Sequence, residues 1–128
     1  MIFTSAFIIT IFLACILLGG VAVSSAAYVS PPAKIIRTGI ASYYGAECAG
    51  RIMANGKPFI PEKMTCASWH YPFGTVLIVT HGQKSVRVTC TDRGPAKRLH
   101  REIDLSAAAF KKLAPLDMGL IQVTVSEL

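Results

Sequence analysis

The segment TVLIVTHGQKSVRVTCT, residues 75–91, most narrows the folds open to this chain. Two runs rich in β-branched residues flank HGQK, a four-residue turn containing glycine, and this is the pattern of an antiparallel hairpin. Alternation puts Val86, Val88 and Cys90 on one face, the side expected to meet a core. Two more alternating runs, RTGIASYYG (37–45) and LIQVTVSEL (120–128), read as strands near the start and end of the domain. The connection 46–74 is long and turn-rich, with Asn55-Gly56 and Phe73-Gly74 as its strongest turn signals. One helical pattern is present, LSAAAFKKLA (105–114), where Leu105, Ala108, Ala109 and Leu113 form an apolar stripe. Asp104 or Ser106 can cap its start, and Lys111 and Lys112 suit its end. Short strands, one short helix and long irregular connections predict an all-β closed barrel rather than a sandwich.

Residues 6–23, AFIITIFLACILLGGVAV, are uncharged and largely apolar, and SSAA follows them. Residues 1–27 therefore read as a signal peptide or as a retained membrane anchor. Residues 28–36 read as a linker and 37–128 as the barrel domain. All thirteen Lys and Arg residues and all seven acidic ones lie beyond residue 27, so the remaining 101 residues carry the whole net charge of +6. A basic exported domain favours polyanionic partners, here cell-wall polymers or the membrane surface. Nucleic acid fits the charge but not the compartment. Cys48, Cys66 and Cys90 follow the apolar segment. Cys90 is in phase with the core positions and is expected to stay reduced. Cys48 and Cys66 fall in polar, loop-like sequence and are expected to pair, closing a loop worth about 3 kcal/mol. No two cysteines or histidines share a ligand spacing, so no metal and no cofactor is expected.

The chemistry concentrates in TCTDRGPAKRLHREIDLS, residues 89–106. Asp92 stands beside Arg93 on a Gly-Pro loop, and Asp104 returns twelve residues later. A bland reading makes Asp104 a helix N-cap and Asp92 a loop carboxylate held by Arg93 and backbone amides. The functional reading folds both carboxylates back onto one side of a groove. There Arg93, Arg98 and Arg101 meet an anionic substrate or hold the carboxylates.

The blocks GIASYYG, AGRIMANGKPF, MTCASWHYPFGT, VRVTCTDRGP, IDLSAAAF and GLIQVTV, in this order, resemble the RlpA (rare lipoprotein A) family. The resemblance implies a six-stranded double-psi β-barrel acting on peptidoglycan in the bacterial envelope, monomeric and without a cofactor. Active family members are lytic transglycosylases. They cut between N-acetylmuramic acid and N-acetylglucosamine and close a 1,6-anhydro ring instead of adding water. One carboxyl group can serve as acid and then base in that reaction. Asp92 matches the family's functional aspartate, and Asp104 its second. Lys57 and Ser68 stand where active relatives usually carry glutamate and histidine, and His70 lies two residues beyond Ser68. Tyr44 and Trp69 are expected to face the groove, among aromatics that include Tyr43, Tyr71 and Phe73. The expected substrate-binding set is thus Tyr44, Lys57, Ser68, Trp69, His70 and Arg93. The alternative is a non-catalytic, expansin-like barrel that binds glycan without cutting it.

Overall fold

A computed structural model describes Gly20 and residues 26–128. The expected leader lies almost wholly outside these residues. Residues 26–35 are exposed coil. Six strands follow: β1 (Ile36–Tyr43), β2 (Thr65–Ala67), β3 (Val76–His81), β4 (Lys84–Asp92), β5 (Ile103–Leu105) and β6 (Ile121–Glu127). They close a barrel in the order β1-β5-β2-β4-β3-β6. The pairs β1/β5 and β2/β4 are parallel and the other four antiparallel. This is the expected closed six-stranded architecture.

Period-2 patterning builds the interior. Leu77 and Val79, Val86, Val88 and Cys90, and Ile121, Val123 and Val125 all point inward and are nearly inaccessible. Each such aliphatic side chain contributes about 1.5–3 kcal/mol on burial. The hairpin is tighter than the sequence suggests. His81 pairs with Lys84, which leaves Gly82-Gln83 as a two-residue turn. Gly82 has φ 59°, a left-handed value that suits glycine at the first position of such a turn.

The helix α1 (Ala107–Leu113) starts later than its apolar stripe predicts. Ser106 is its N-cap, with Oγ accepting from the Ala109 N–H at 3.2 Å. Leu105 belongs to β5, and Ala109, Phe110 and Leu113 form the buried face. Phe110 packs on Tyr43 with ring centroids 4.8 Å apart.

The expected Cys48–Cys66 bridge is not formed. All three cysteines of the barrel domain are free thiols, and Cys66 lies in β2 as the register partner of Cys90. Cys66 faces the core, whereas Cys48 sits on the outer surface loop, so the wall of the barrel separates them. What reads as loop around Cys66 is a strand of only three residues.

Candidate functional site

A single bulge decides which way Asp92 points. Along β4, strict alternation would send Asp92 inward with Cys90. In the β2/β4 ladder, however, Cys66 pairs with Cys90 and the next residue, Ala67, pairs with Asp92. Thr91 is the extra residue, and it turns Asp92 to the outer face. On the other side of β2, Ala67 pairs with Asp104, and Asp104 pairs in turn with Ser42 of β1. A row Asp92–Ala67–Asp104–Ser42 therefore crosses four neighbouring strands on the outside of the barrel. The two aspartates stand two strand spacings apart, roughly 9–10 Å at Cα. Ala67, between them, carries only a methyl group and no polar atom.

Two loops wall this row. In one, residues 50–59 fold back on themselves through Gly50 N–H to Phe59 O, Phe59 N–H to Arg51 O and Met53 N–H to Lys57 O. The other is the Asp-Arg-Gly-Pro turn. Gly94 there has φ 148°, and a Cβ on it would lie 3.5 Å from Ala67 Cβ, 3.7 Å from Tyr44 Oη and 4.0 Å from Asp104 Oδ2. Glycine allows this turn to lie against the row.

Asp92 accepts three hydrogen bonds. Its Oδ1 takes the N–H of Ala54 and of Arg93, each at 2.8 Å, and its Oδ2 takes the Tyr44 hydroxyl at 3.1 Å. Tyr44 packs edge-on against Phe59. Burial first, then the Asp92 and Asp104 charges, push the Tyr44 hydroxyl far above its ordinary pKa, so it remains a donor. Asp104 is only 6% exposed. It accepts from Ser42 Oγ, and Arg101 approaches its two oxygens at 3.4 Å each. Burial raises its pKa and the Asp92 charge adds to that, while the Ser42 hydrogen bond and Arg101 pull it down. Tyr44 and Cys48 divide the surface into two hollows. Asp104, Ser42, Glu47 and Arg101 line an open cleft of about 660 Å³. Asp92, Arg51, Met53 and Phe59 line a smaller one of about 210 Å³.

The structure thus brings Tyr44, Asp92 and Asp104 together and leaves other expected residues apart. Ser68 is 1% exposed and closes a local turn, accepting the His70 N–H, so it does not reach a substrate. His70 lies elsewhere, with Nε2 accepting from Arg37 at 2.8 Å and 3.7 Å from Glu102. Arg93 sends its guanidinium away from both carboxylates. It donates to the Ser68 and Tyr71 carbonyls at 2.9 Å each and lies 3.9 Å over the Phe73 ring. Arg101, not Arg93, faces an aspartate. The Lys57 side chain is exposed and lines neither hollow. Trp69 is 47% exposed and flanks the Asp-Arg-Gly-Pro turn, its Nε1–H donating to Pro95 O at 2.6 Å. Sequence reasoning missed Ser42, Glu47 and Phe59. Ser42 was within reach, since alternation in GIASYYG places it in phase with Tyr44.

Comparison with known proteins agrees with the fold. The family described as lytic transglycolase matches residues 36–125. A probable endolytic peptidoglycan transglycosylase RlpA of Nostoc is 44% identical over 94 residues, covering 70% of this chain but 25% of that protein. The chain thus spans about a quarter of that relative's length. Among solved structures, the Streptomyces papain inhibitor superimposes with a TM-score of 0.61 at 29% identity, covering 77% of this chain and 99% of that one. The expansin of Clavibacter michiganensis gives 0.58 at 27%, covering 73% and 50%. The matched segment contains β1 to β5, all but the last two residues of β6 and both aspartates of the outer row, and the chain belongs to the lytic transglycolase family of double-psi β-barrels.

Proposed function

We propose that the protein acts in the cell envelope as a lytic transglycosylase on the glycan strands of peptidoglycan, with Asp92 as the proton-transferring group. The observation that carries this reading is the outward row of Asp92 and Asp104 with Tyr44 over it. Oδ1 of Asp92 is committed to two backbone amides, whereas Oδ2 shares only the Tyr44 hydroxyl. Oδ2 is therefore the atom that gives its proton to the departing glycosidic oxygen. The same atom then takes the proton of the C6 hydroxyl as the anhydro ring closes. Atoms balance without water: one C–O bond breaks, one forms, and the proton returns to Asp92. Asp104 shows only its edge to the cleft and acts as a positioning and electrostatic neighbour. Trp69 offers an exposed ring for stacking on a sugar beside the turn. The basic surface suits an anionic wall polymer, and the apolar N-terminal segment supplies export or a membrane anchor.

A second reading, glycan binding without cleavage, draws on Lys57 and Ser68. Neither presents a polar side chain to the hollows. Incubation with purified sacculi separates the two. Soluble anhydro-muropeptides detected by mass spectrometry support the enzyme. Co-sedimentation with sacculi and no released product supports the binder.

A further inference from the structure

Cys66 and Cys90 meet on the inner side of the same ladder that turns Asp92 outward. They are register partners on the parallel strands β2 and β4, and both are almost wholly buried. Register partners on neighbouring strands lie about 5 Å apart at Cα, inside the window of roughly 4.4–6.8 Å that a disulfide spans. Both side chains leave the sheet on its inner face, where aliphatic and aromatic groups surround them. Cys90 Sγ donates to Tyr71 O at 3.5 Å, and Arg93 Nη1 lies 3.6 Å from Cys90 Sγ. The neighbouring Cys66 thiol and then Arg93 pull the Cys90 thiol below its ordinary pKa, whereas the Cys66 thiol is raised. Cys90 is thus the member of the pair favoured as thiolate, the form that attacks a disulfide.

We propose that Cys66 and Cys90 form a disulfide in the exported protein, tying β2 to β4 one residue before the offset that presents Asp92. The oxidant is a second disulfide, from an envelope thiol oxidase or a small molecule. The Cys90 thiolate attacks one oxidant sulfur, and a mixed disulfide forms as the other oxidant sulfur leaves as thiolate. Cys66, losing its proton, then attacks Cys90 Sγ and expels the second oxidant thiolate. Two electrons pass to the oxidant, and two protons are released from the pair. Because both sulfurs are buried in the finished barrel, the exchange belongs to late folding, after β2, β4 and Arg93 have come together and before the barrel closes over the pair. The finished bond is shielded from reductants. This replaces both the Cys48–Cys66 pairing and the reduced Cys90 expected from the sequence, and it holds whether or not the groove is catalytic.

The test uses the full chain, reduced and unfolded, then refolded in a buffer of reduced and oxidised glutathione. Free thiols are alkylated and the chain is cut by trypsin without reduction. The expected product is a linked pair of the peptides 64–84 and 88–93, with the Cys48 peptide, 38–51, alkylated. The bridged chain should melt on the order of 10 °C above the reduced one. It should also resist dithiothreitol until denaturant is added. Recovery of 64–84 and 88–93 as separate alkylated peptides from folded protein would overturn the proposal, as would a link from 64–84 to 38–51. Equal melting temperatures would overturn the role as a staple.

Discussion

Residues two apart in sequence, Glu102 and Asp104, sit in opposite electrostatic settings. Glu102 is ion-paired with Arg37, whose guanidinium also donates to His70, so charge and hydrogen-bonding capacity are matched. Asp104 is buried next to a second carboxylate. Its compensation is a hydroxyl and an arginine that stands off at 3.4 Å, and its pKa rises. A matched cluster stabilises a fold and has no spare capacity for chemistry. An unmatched pair held open to a cleft costs stability and is the arrangement expected of a functional site. On this contrast His70 stands with the ion-paired cluster, and Asp92, Asp104 and Tyr44 with the proposed site.

The comparison breaks most readily at Asp104. Asp104→Asn should lower release of anhydro-muropeptides by about 10–100-fold, since it removes the charge beside the Asp92–Tyr44 pair. It should not destabilise the barrel at neutral pH. The folded state raises the pKa of Asp104, so the native chain holds its proton to higher pH than the unfolded chain. The stability this contributes is complete below the unfolded value of about 3.9 and is lost as pH rises through the folded one. The variant escapes that loss, so its melting temperature relative to the parent should climb from about pH 4 toward neutrality. A difference that stays flat with pH would place Asp104 among the matched charges.

Tyr44→Phe removes the single donor to Asp92 Oδ2 and should cost about tenfold in activity with little change in stability. Glu102→Gln should do the reverse on a smaller scale, lowering stability by about 1 kcal/mol or less and leaving product release within about twofold. A large loss of activity there would join the two clusters into one site. The smallest effect is expected for Lys57→Glu. With its side chain outside both hollows, cleavage should hold steady, and sacculus binding should weaken only slightly and at low salt.

Sequence periodicity foretold the long strands and the helix α1, because β1, β3, β4 and β6 are long enough to alternate and α1 carries an apolar stripe. It was blind to β2 and β5, three residues each, which cannot show a period. Those two strands carry Ala67 and Asp104, and with them the row that organises the site. The bulge at Thr91 was equally hidden, since alternation through VRVTCTD sends Asp92 into the core. Motif resemblance, not pattern, singled out Asp92. Arg93 was misassigned because proximity in sequence suggested an ion pair, whereas the strand end aims its side chain at the carbonyls of Ser68 and Tyr71. The cysteine pairing failed for a related reason. Parallel β2/β4 register is a long-range property, and local polarity around Cys66 says nothing about it.

The central claim is that Asp92 transfers the proton in a site otherwise built to hold glycan. Asp92→Asn preserves the amide contacts through its side-chain oxygen and removes the acid. With purified sacculi, the unaltered protein should release 1,6-anhydro-muropeptides, while the Asn variant should sediment with the sacculi as before and release them at least about a thousandfold more slowly. Release of anhydro products by the variant at the parent's rate would contradict the account.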